Sequence, residues 1–200
     1  MRKQPRQNRS KQMVDNILEA AARVIAERGL GDATTGRIAE AAGISIGSLY
    51  QYFDGKESIY AALLDHIVQE LTALVDRHSA RLGEASLQGW VSGLLNDAWD
   101  YLEAGDGLYL KVLRNWSQMD FMRGMDVLEQ KLLGVLSLYA LQQGVSGGAD
   151  LPARIYILIN SVLFTLVRHI SNPSPWVSRE SIIHAFADLV EKALAGPAQG

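Results

Sequence analysis

Residues 34–56 read TTGRIAEAAGISIGSLYQYFDGK, and the fold follows from how this stretch is built. Thr34 and Thr35 offer a hydroxyl that can accept from a free amide of a helix's first turn, and Ile38, Ala39, Ala41 and Ala42 then fall at helical spacing. The short alanine side chains let a second helix approach closely. Gly43 opens a turn, because glycine enters the left-handed region without a Cβ clash. Ile44 fills the gap between the helices and Ser45 caps the next one, a short helix that turns Leu49 and Phe53 inward. Ile46, Gly47, Ser48, Tyr50, Gln51 and Tyr52 are left on outward or half-outward surfaces near its amino end. Two short helices joined by a tight turn with glycine at its start make a helix-turn-helix, and this end of the second helix is the part that meets base edges and phosphates.

The hydrophobic period on both sides is also helical. Val14, Ile17, Leu18, Ala21, Val24 and Ile25 form one stripe, and Gly29 stands where a left-handed cap ends a helix. Asp54 and Glu57 have the spacing of a capping box, opening a long helix through Ile59, Leu63, Ile67, Leu71 and Leu74. Further stripes follow: Leu87 to Leu102, ending near Gly105, Asp106 and Gly107; residues 108–116; Met125 to Tyr139, stopped by Gly144; residues 152–170, stopped by Asn172 and Pro173; and Ile182 to Leu194. The expected fold is all-α with about nine helices, with no internal repeat. Residues 1–56 are expected to form the helix-turn-helix domain with a basic N-terminal arm, and residues 57–200 the remaining domain.

Composition agrees with a globular chain. The 200 residues are 48% apolar and 20% charged, enough for one large domain or two small ones around a proper core. Without cysteine there is no disulfide framework, no thiolate metal site and no thiol nucleophile. The longest apolar run, residues 155–167, lies between Arg154 and Arg168 and is broken by Asn160, Ser161 and Thr165. It falls short of the roughly 18 residues of a membrane span, so it reads as a buried helix and no membrane contact is expected. The basic start is not followed by an apolar run, which points to a cytoplasmic location. Residues 1–56 carry nine Lys/Arg against six Asp/Glu, whereas residues 57–200 carry ten against sixteen. A basic head on an acidic body suits a polyanionic partner, although a solvated arm explains the charge alone equally well.

The string Ile17, Leu18, Glu19, Ala20, Ala21, then Thr35, Ile38, Ala39, Ala42, Gly43, Ile44, Ser45, Gly47, Ser48, Leu49, Tyr50, Phe53, Lys56 and Glu57 closely resembles the DNA-binding domain of TetR-family regulators. The resemblance covers about residues 10–60; the rest matches only in helix number and length. It implies a homodimeric, two-domain, all-α repressor that binds double-stranded DNA at an inverted-repeat operator and is released by a small ligand in the C-terminal domain. It also implies that Thr35, Tyr50, Tyr52 and Lys56 contact phosphates and that Ile46, Gly47, Ser48 and Gln51 approach the bases. Ile46 and Gly47 offer no hydrogen bond and suit thymine methyl groups, which leaves polar readout to Ser48 and Gln51. Gly36 stands where related proteins often place a longer side chain that reaches the groove, and glycine inside a helix costs about 1 kcal/mol against alanine. Base reading then falls on the third helix, Arg37 and the arm, whose Arg6, Arg9 and Lys11 are expected on phosphates rather than in a minor groove.

A sensing pocket in the second domain is expected to be apolar with a few polar groups. Trp90, Trp99, Trp116, Met119 and Met122 belong to an aromatic and methionine-rich set, and Asn160, Phe164 and Arg168 share one helical stripe. These are the candidate ligand contacts, for a hydrophobic effector; core packing of the aromatics and an internal partner for Asn160 are the alternative. Residues 152–170 and 178–195 are the natural dimer surface, two recognition helices then reading half-sites about 34–36 Å apart or a multiple of it. A constitutive or protein-regulated DNA-binding factor without a ligand is the competing function. An all-α enzyme is remote: His66, His78, His169 and His184 lie on different helices, His66 and Glu70 lack a third ligand, and no phosphate loop or nucleophile elbow occurs. No cofactor and no metal are expected.

Overall fold

The computed structural model describes residues 4–83, 86–115, 119–145 and 150–194. They form α1 (Gln4–Arg28), α2 (Thr35–Ala41), α3 (Ile46–Leu49), α4 (Lys56–Ser79), α5 (Leu87–Leu113), α6 (Phe121–Gln142), α7 (Leu151–Ser171) and α8 (Arg179–Leu194), with no β-strand among the described residues. Within α5 the backbone leaves the helical region at Ala104 (ψ 153°) and runs left-handed through Gly105, Asp106 and Gly107 (φ 59°, 67° and 70°). α5 is therefore two helical arms, which brings the all-α chain close to the expected helix number.

The chain divides into two compact units. One runs as far as Ile67 and adds Glu103–Phe121; the other holds Val68–Leu102 and the chain from Met122 onward. The division thus falls inside α4 rather than at Lys56, and a later segment returns to the first unit. The reason is the burial of Ile59, Leu63 and Ile67, a stripe at four-residue spacing that commits the first half of α4 to the first unit, joined there by buried Val112 and Leu113.

In the first unit α1 buries Ile17, Leu18, Ala21, Val24 and Ile25 as expected. It differs in where it starts: the helix reaches back to Gln4, so the basic segment carries helical backbone rather than being an extended arm. Pro5 lies in the first turn, where a missing N–H costs nothing. Gly29 (φ 78°) ends α1, its N–H donating to the Ile25 carbonyl at 2.8 Å.

In the second unit the core gathers Trp90, Leu94, Leu95, Trp99, Ile155, Ile159, Val162, Ile183, Phe186 and Val190. Gly144 (φ 64°) closes α6, with the Gly144 N–H on the Leu141 carbonyl and the Val145 N–H on the Ala140 carbonyl, the paired bonds of a Schellman ending. α7 departs from the buried helix its composition suggested. By length and composition alone it is long and apolar enough to cross a membrane, yet only 28% of its apolar window is buried. One face packs through Ile155, Ile159, Val162, Val167 and Ile170, while Tyr156, Ile157 and Phe164 stand exposed.

Candidate nucleic-acid interface

The helix-turn-helix is assembled by local bonds that its sequence specifies. Thr34 caps α2, its Oγ1 accepting from the Arg37 N–H at 3.3 Å. At the other end Gly43 takes φ 68°, its N–H donates to the Glu40 carbonyl, and the Ile44 N–H reaches back to the Ala39 carbonyl, both at 3.0 Å. That is again a Schellman ending, and it needs a residue free of the Cβ penalty at the left-handed position. Ser45 then caps α3 through its Oγ, which accepts from the Ser48 N–H at 3.1 Å. Asn16 of α1 donates to the Ala42 carbonyl at 3.0 Å and ties the turn to the first helix.

Leu49 and Phe53 are buried beneath α3 and the turn after it. This orientation leaves Ile46 (48% exposed), Gly47, Tyr50 (50%), Gln51 and Tyr52 (36%) on one outward surface. Ser48 is half-buried, and its hydroxyl lies 2.8 Å from that of Ser45, so it is engaged within the cap. The hydroxyls of Thr35 and Tyr50 stand 3.4 Å apart, bringing the start of α2 and the end of α3 to a single point. Two hydroxyls so placed can both donate to one phosphate oxygen. Arg37 is exposed, with Nη1 donating to the Asp32 carbonyl at 2.6 Å and lying 3.6 Å from its carboxylate.

Lys56 is half-buried as the first residue of α4. The expected Asp54–Glu57 box is displaced by one residue: the Gly55 N–H donates to the Ser58 hydroxyl at 3.3 Å, and that hydroxyl donates to the Gly55 carbonyl at 2.8 Å. Gly55, not Asp54, immediately precedes the helix, so the residue three on is serine. One turn further, Tyr60 is buried and donates to the carbonyls of Leu30 (3.0 Å) and Ala33, in the loop between α1 and α2. Burial pushes the Tyr60 phenol upward, and the Glu57 carboxylate adds to the shift. Nothing in the local pattern announces this tyrosine, because its partners lie a whole helix-turn-helix away in the chain. Of the basic segment, Arg9 and Lys11 are exposed on α1, and the side chain of Arg6 lies outside the described residues.

The expected ligand contacts are not gathered together. The second unit holds a small, wholly apolar cavity of about 50 Å³ lined by Trp90, Val91, Leu94, Leu95, Leu132, Leu136, Leu158, Ile159, Val162 and Val190. Trp90 alone of the expected residues lines it. Trp99 is buried elsewhere, edge-on to the His169 ring at 5.6 Å and beneath the Arg179 guanidinium at 5.6 Å. Asn160 is satisfied internally, donating to Glu129 Oε2 at 2.6 Å and to the Tyr156 carbonyl at 3.1 Å. Phe164 and Met122 are exposed, and exposed Arg168 donates to the Asn172 carbonyl at 3.4 Å. Met119 falls in the first unit, and Trp116 lies outside the described residues. The aliphatic lining gave no separate signal, since its spacing is that of any helix core. His66 faces the Tyr109 ring at 6.4 Å, and among the described residues no three His, Asp or Glu converge as metal ligands do.

Residues 17–63 match the sequence profile of bacterial regulatory proteins of the tetR family. The nucleoid occlusion factor SlmA of Haemophilus ducreyi is 26% identical over 126 residues, 59% of this chain and 61% of that protein, so the match spans about three fifths of the relative's length. The HTH-type transcriptional repressor KstR2 of Rhodococcus jostii is 47% identical over 55 residues, 28% of this chain and 27% of its own. The transcriptional regulator FadR of Bacillus subtilis, solved in complex with stearoyl-CoA, shares the fold with a TM-score of 0.61 at 20% identity, over 91% of this chain and 98% of that one. The helix-turn-helix described above lies inside the matched residues, so residues 17–63 carry the DNA-binding domain of bacterial regulatory proteins of the tetR family, and the fold is shared with such a regulator along nearly the whole chain.

Proposed function

We propose that the chain is a cytoplasmic transcriptional repressor that holds an inverted-repeat operator as a homodimer and leaves it when a small hydrophobic effector binds the second unit. The observation that carries the DNA-binding part is the meeting of the Thr35 and Tyr50 hydroxyls beside an outward row of Ile46, Gly47 and Gln51. The hydroxyl pair and Lys56 suit phosphates, which fix register, while Gln51 and Arg37 suit base edges and Ile46 a thymine methyl. Tyr52 completes the phosphate-facing set, and Ser48 contributes what its bond to Ser45 leaves free.

Support for the effector comes from the apolar cavity beside Trp90 and from the stearoyl-CoA bound by the FadR relative. Release is then a population shift: an effector that prefers the arrangement unsuited to the operator weakens DNA binding by its differential affinity, and DNA weakens the effector equally. The cavity's size favours a second reading, a DNA-binding factor without a small ligand, because ligand pockets usually hold about 300 Å³ or more.

Selection of genomic fragments by the purified chain at near-physiological salt, followed by sequencing, tests the first claim. An enriched inverted repeat supports specific dimeric binding. No enrichment, before and after denaturation and refolding to strip a bound molecule, overturns it. Thermal stabilisation by long-chain acyl compounds, with loss of binding to the enriched duplex, separates the ligand-responsive reading from the constitutive one.

A further inference from the structure

We infer that Tyr60 and Asp32 are positioning residues that aim Arg37 at the DNA, an inference that rests on the DNA-binding reading above. The loop of residues 29–34 is short and has little backbone pairing of its own: the Thr34 N–H donates to the Asp32 carbonyl at 3.0 Å, and Gly29 closes α1. Its shape is fixed from beneath. Leu30 and Ala33 are buried, and the single hydroxyl proton of Tyr60 is shared between their two carbonyl oxygens. Asp32 lies between those anchored residues and is itself exposed.

The Asp32 carbonyl points at α2 and accepts Arg37 Nη1 at 2.6 Å, and the carboxylate of the same residue lies 3.6 Å from that nitrogen. An exposed arginine ordinarily samples many rotamers, and whatever it contacts must first order it. Here one edge of the guanidinium is already held, and the remaining donors of its five are left for a base or phosphate. Gly36 contributes no side chain at the start of α2, so Arg37 is the long basic side chain from this helix for reading the groove, and its direction decides what is read. The chain of contacts runs from Tyr60 in α4 to the loop, from the loop to Asp32, and from Asp32 to Arg37, all within the first unit.

The test uses the full chain and its Tyr60→Phe, Asp32→Ala, Arg37→Ala and Tyr60→Phe/Arg37→Ala variants. Each is put through selection from a random duplex library, and affinities are measured on the duplex that the wild type enriches. Tyr60→Phe keeps the ring in the core and removes the latch. It is expected to lower affinity about three- to tenfold, the scale of one or two lost hydrogen bonds, and to alter base preference at the same base pairs as Arg37→Ala. With Arg37 already replaced, Tyr60→Phe is expected to change affinity by less than about twofold, since coupled residues are not additive. Equal losses in both backgrounds, or an unchanged base preference in Tyr60→Phe, overturn the positioning role. Asp32→Ala removes the exposed carboxylate 3.6 Å from Arg37 Nη1 and keeps the backbone carbonyl, so it stays folded where Tyr60→Phe fails to; it is expected to weaken preference at the Arg37 base pairs by less than Tyr60→Phe does, and no change there overturns the part assigned to the Asp32 side chain. If Arg37→Ala itself changes neither affinity nor preference, Arg37 does not read DNA and that part of the functional reading falls with the latch. If Arg37→Ala matters but does not couple to Tyr60, the latch alone falls.

Discussion

Lys56 brings charge with little direction, and Gln51 brings direction without charge, so the two are expected to fail differently. Lys56→Ala weakens binding to every duplex and lowers the slope of log affinity against log salt by about one, the counterion released per phosphate contact. Gln51→Ala costs about 1–3 kcal/mol on the enriched duplex and little on random DNA, because a side-chain amide discriminates bases rather than holding phosphates. Affinity titrations at several salt concentrations on both duplexes check this; equal Gln51→Ala losses on the two remove it from the base-reading set. Tyr60 gives a pH signature at the same scale. Its folded pKa is raised above the ordinary 10.0, so its stabilisation is complete below the unfolded value and is lost as pH rises through the folded one. Urea unfolding at about pH 9 and about pH 11 is expected to show a fall in stability that Tyr60→Phe lacks, and an identical fall in the variant refutes the assignment. Thr35, Tyr50 and Gln51 were legible in the sequence because their placement follows from caps and turns within a few residues. Tyr60 was not, since its bonds to Leu30 and Ala33 exist only once α4 has folded against the loop.

At the scale of elements, glycine carries opposite meanings at two positions. Gly107 holds φ 70° in the left-handed run that divides α5, and a Cβ there meets only Leu110 Cδ1 at 3.9 Å. Space is not the difficulty, so Gly107→Ala is expected to destabilise by about 1 kcal/mol through backbone conformation alone. Gly134 lies inside α6, exposed and with nothing near a built Cβ. Gly134→Ala is therefore expected to stabilise by up to about 1 kcal/mol. Urea unfolding of the two variants checks the sign, and a loss at Gly134 means that its surface is covered in the native assembly. Gly29, Gly43, Gly105 and Gly144 were readable as stops for the same conformational reason, and all four adopt positive φ. The division inside α4 was not readable, because a continuous amphipathic helix shows which face is buried but not which unit buries it. The cavity lining was hidden similarly: Trp, Met, Asn and Arg draw attention by their chemistry, whereas the cavity is lined by Trp90 and aliphatic residues spaced like any core.

For the whole molecule, the weight falls on the surface that one chain leaves uncovered. α7 exposes Tyr156, Ile157 and Phe164, and α8 exposes Leu189. Fully burying a side chain of this kind contributes about 1.5–3 kcal/mol, so a few of them on two helices supply a substantial driving force for pairing about a two-fold axis. Ile157→Glu or Leu189→Glu places a carboxylate in that surface, where an unpaired charge cannot be buried. Neither side chain belongs to the buried core of the second unit, so the fold is expected to survive, with a thermal transition at low concentration close to that of the wild type. Light scattering is then expected to give the mass of two chains for the wild type and one for the variant. The DNA consequence separates this surface from any other. A dimer gains its second half-site at high effective concentration, so a monomer loses affinity for the enriched inverted repeat by far more than for an isolated half-site. Its salt slope falls by about half, in proportion to the phosphates contacted. A variant that remains dimeric, or that turns monomeric yet binds the full repeat as tightly as before, means that the two heads are coupled elsewhere and that the apolar faces of α7 and α8 serve another partner.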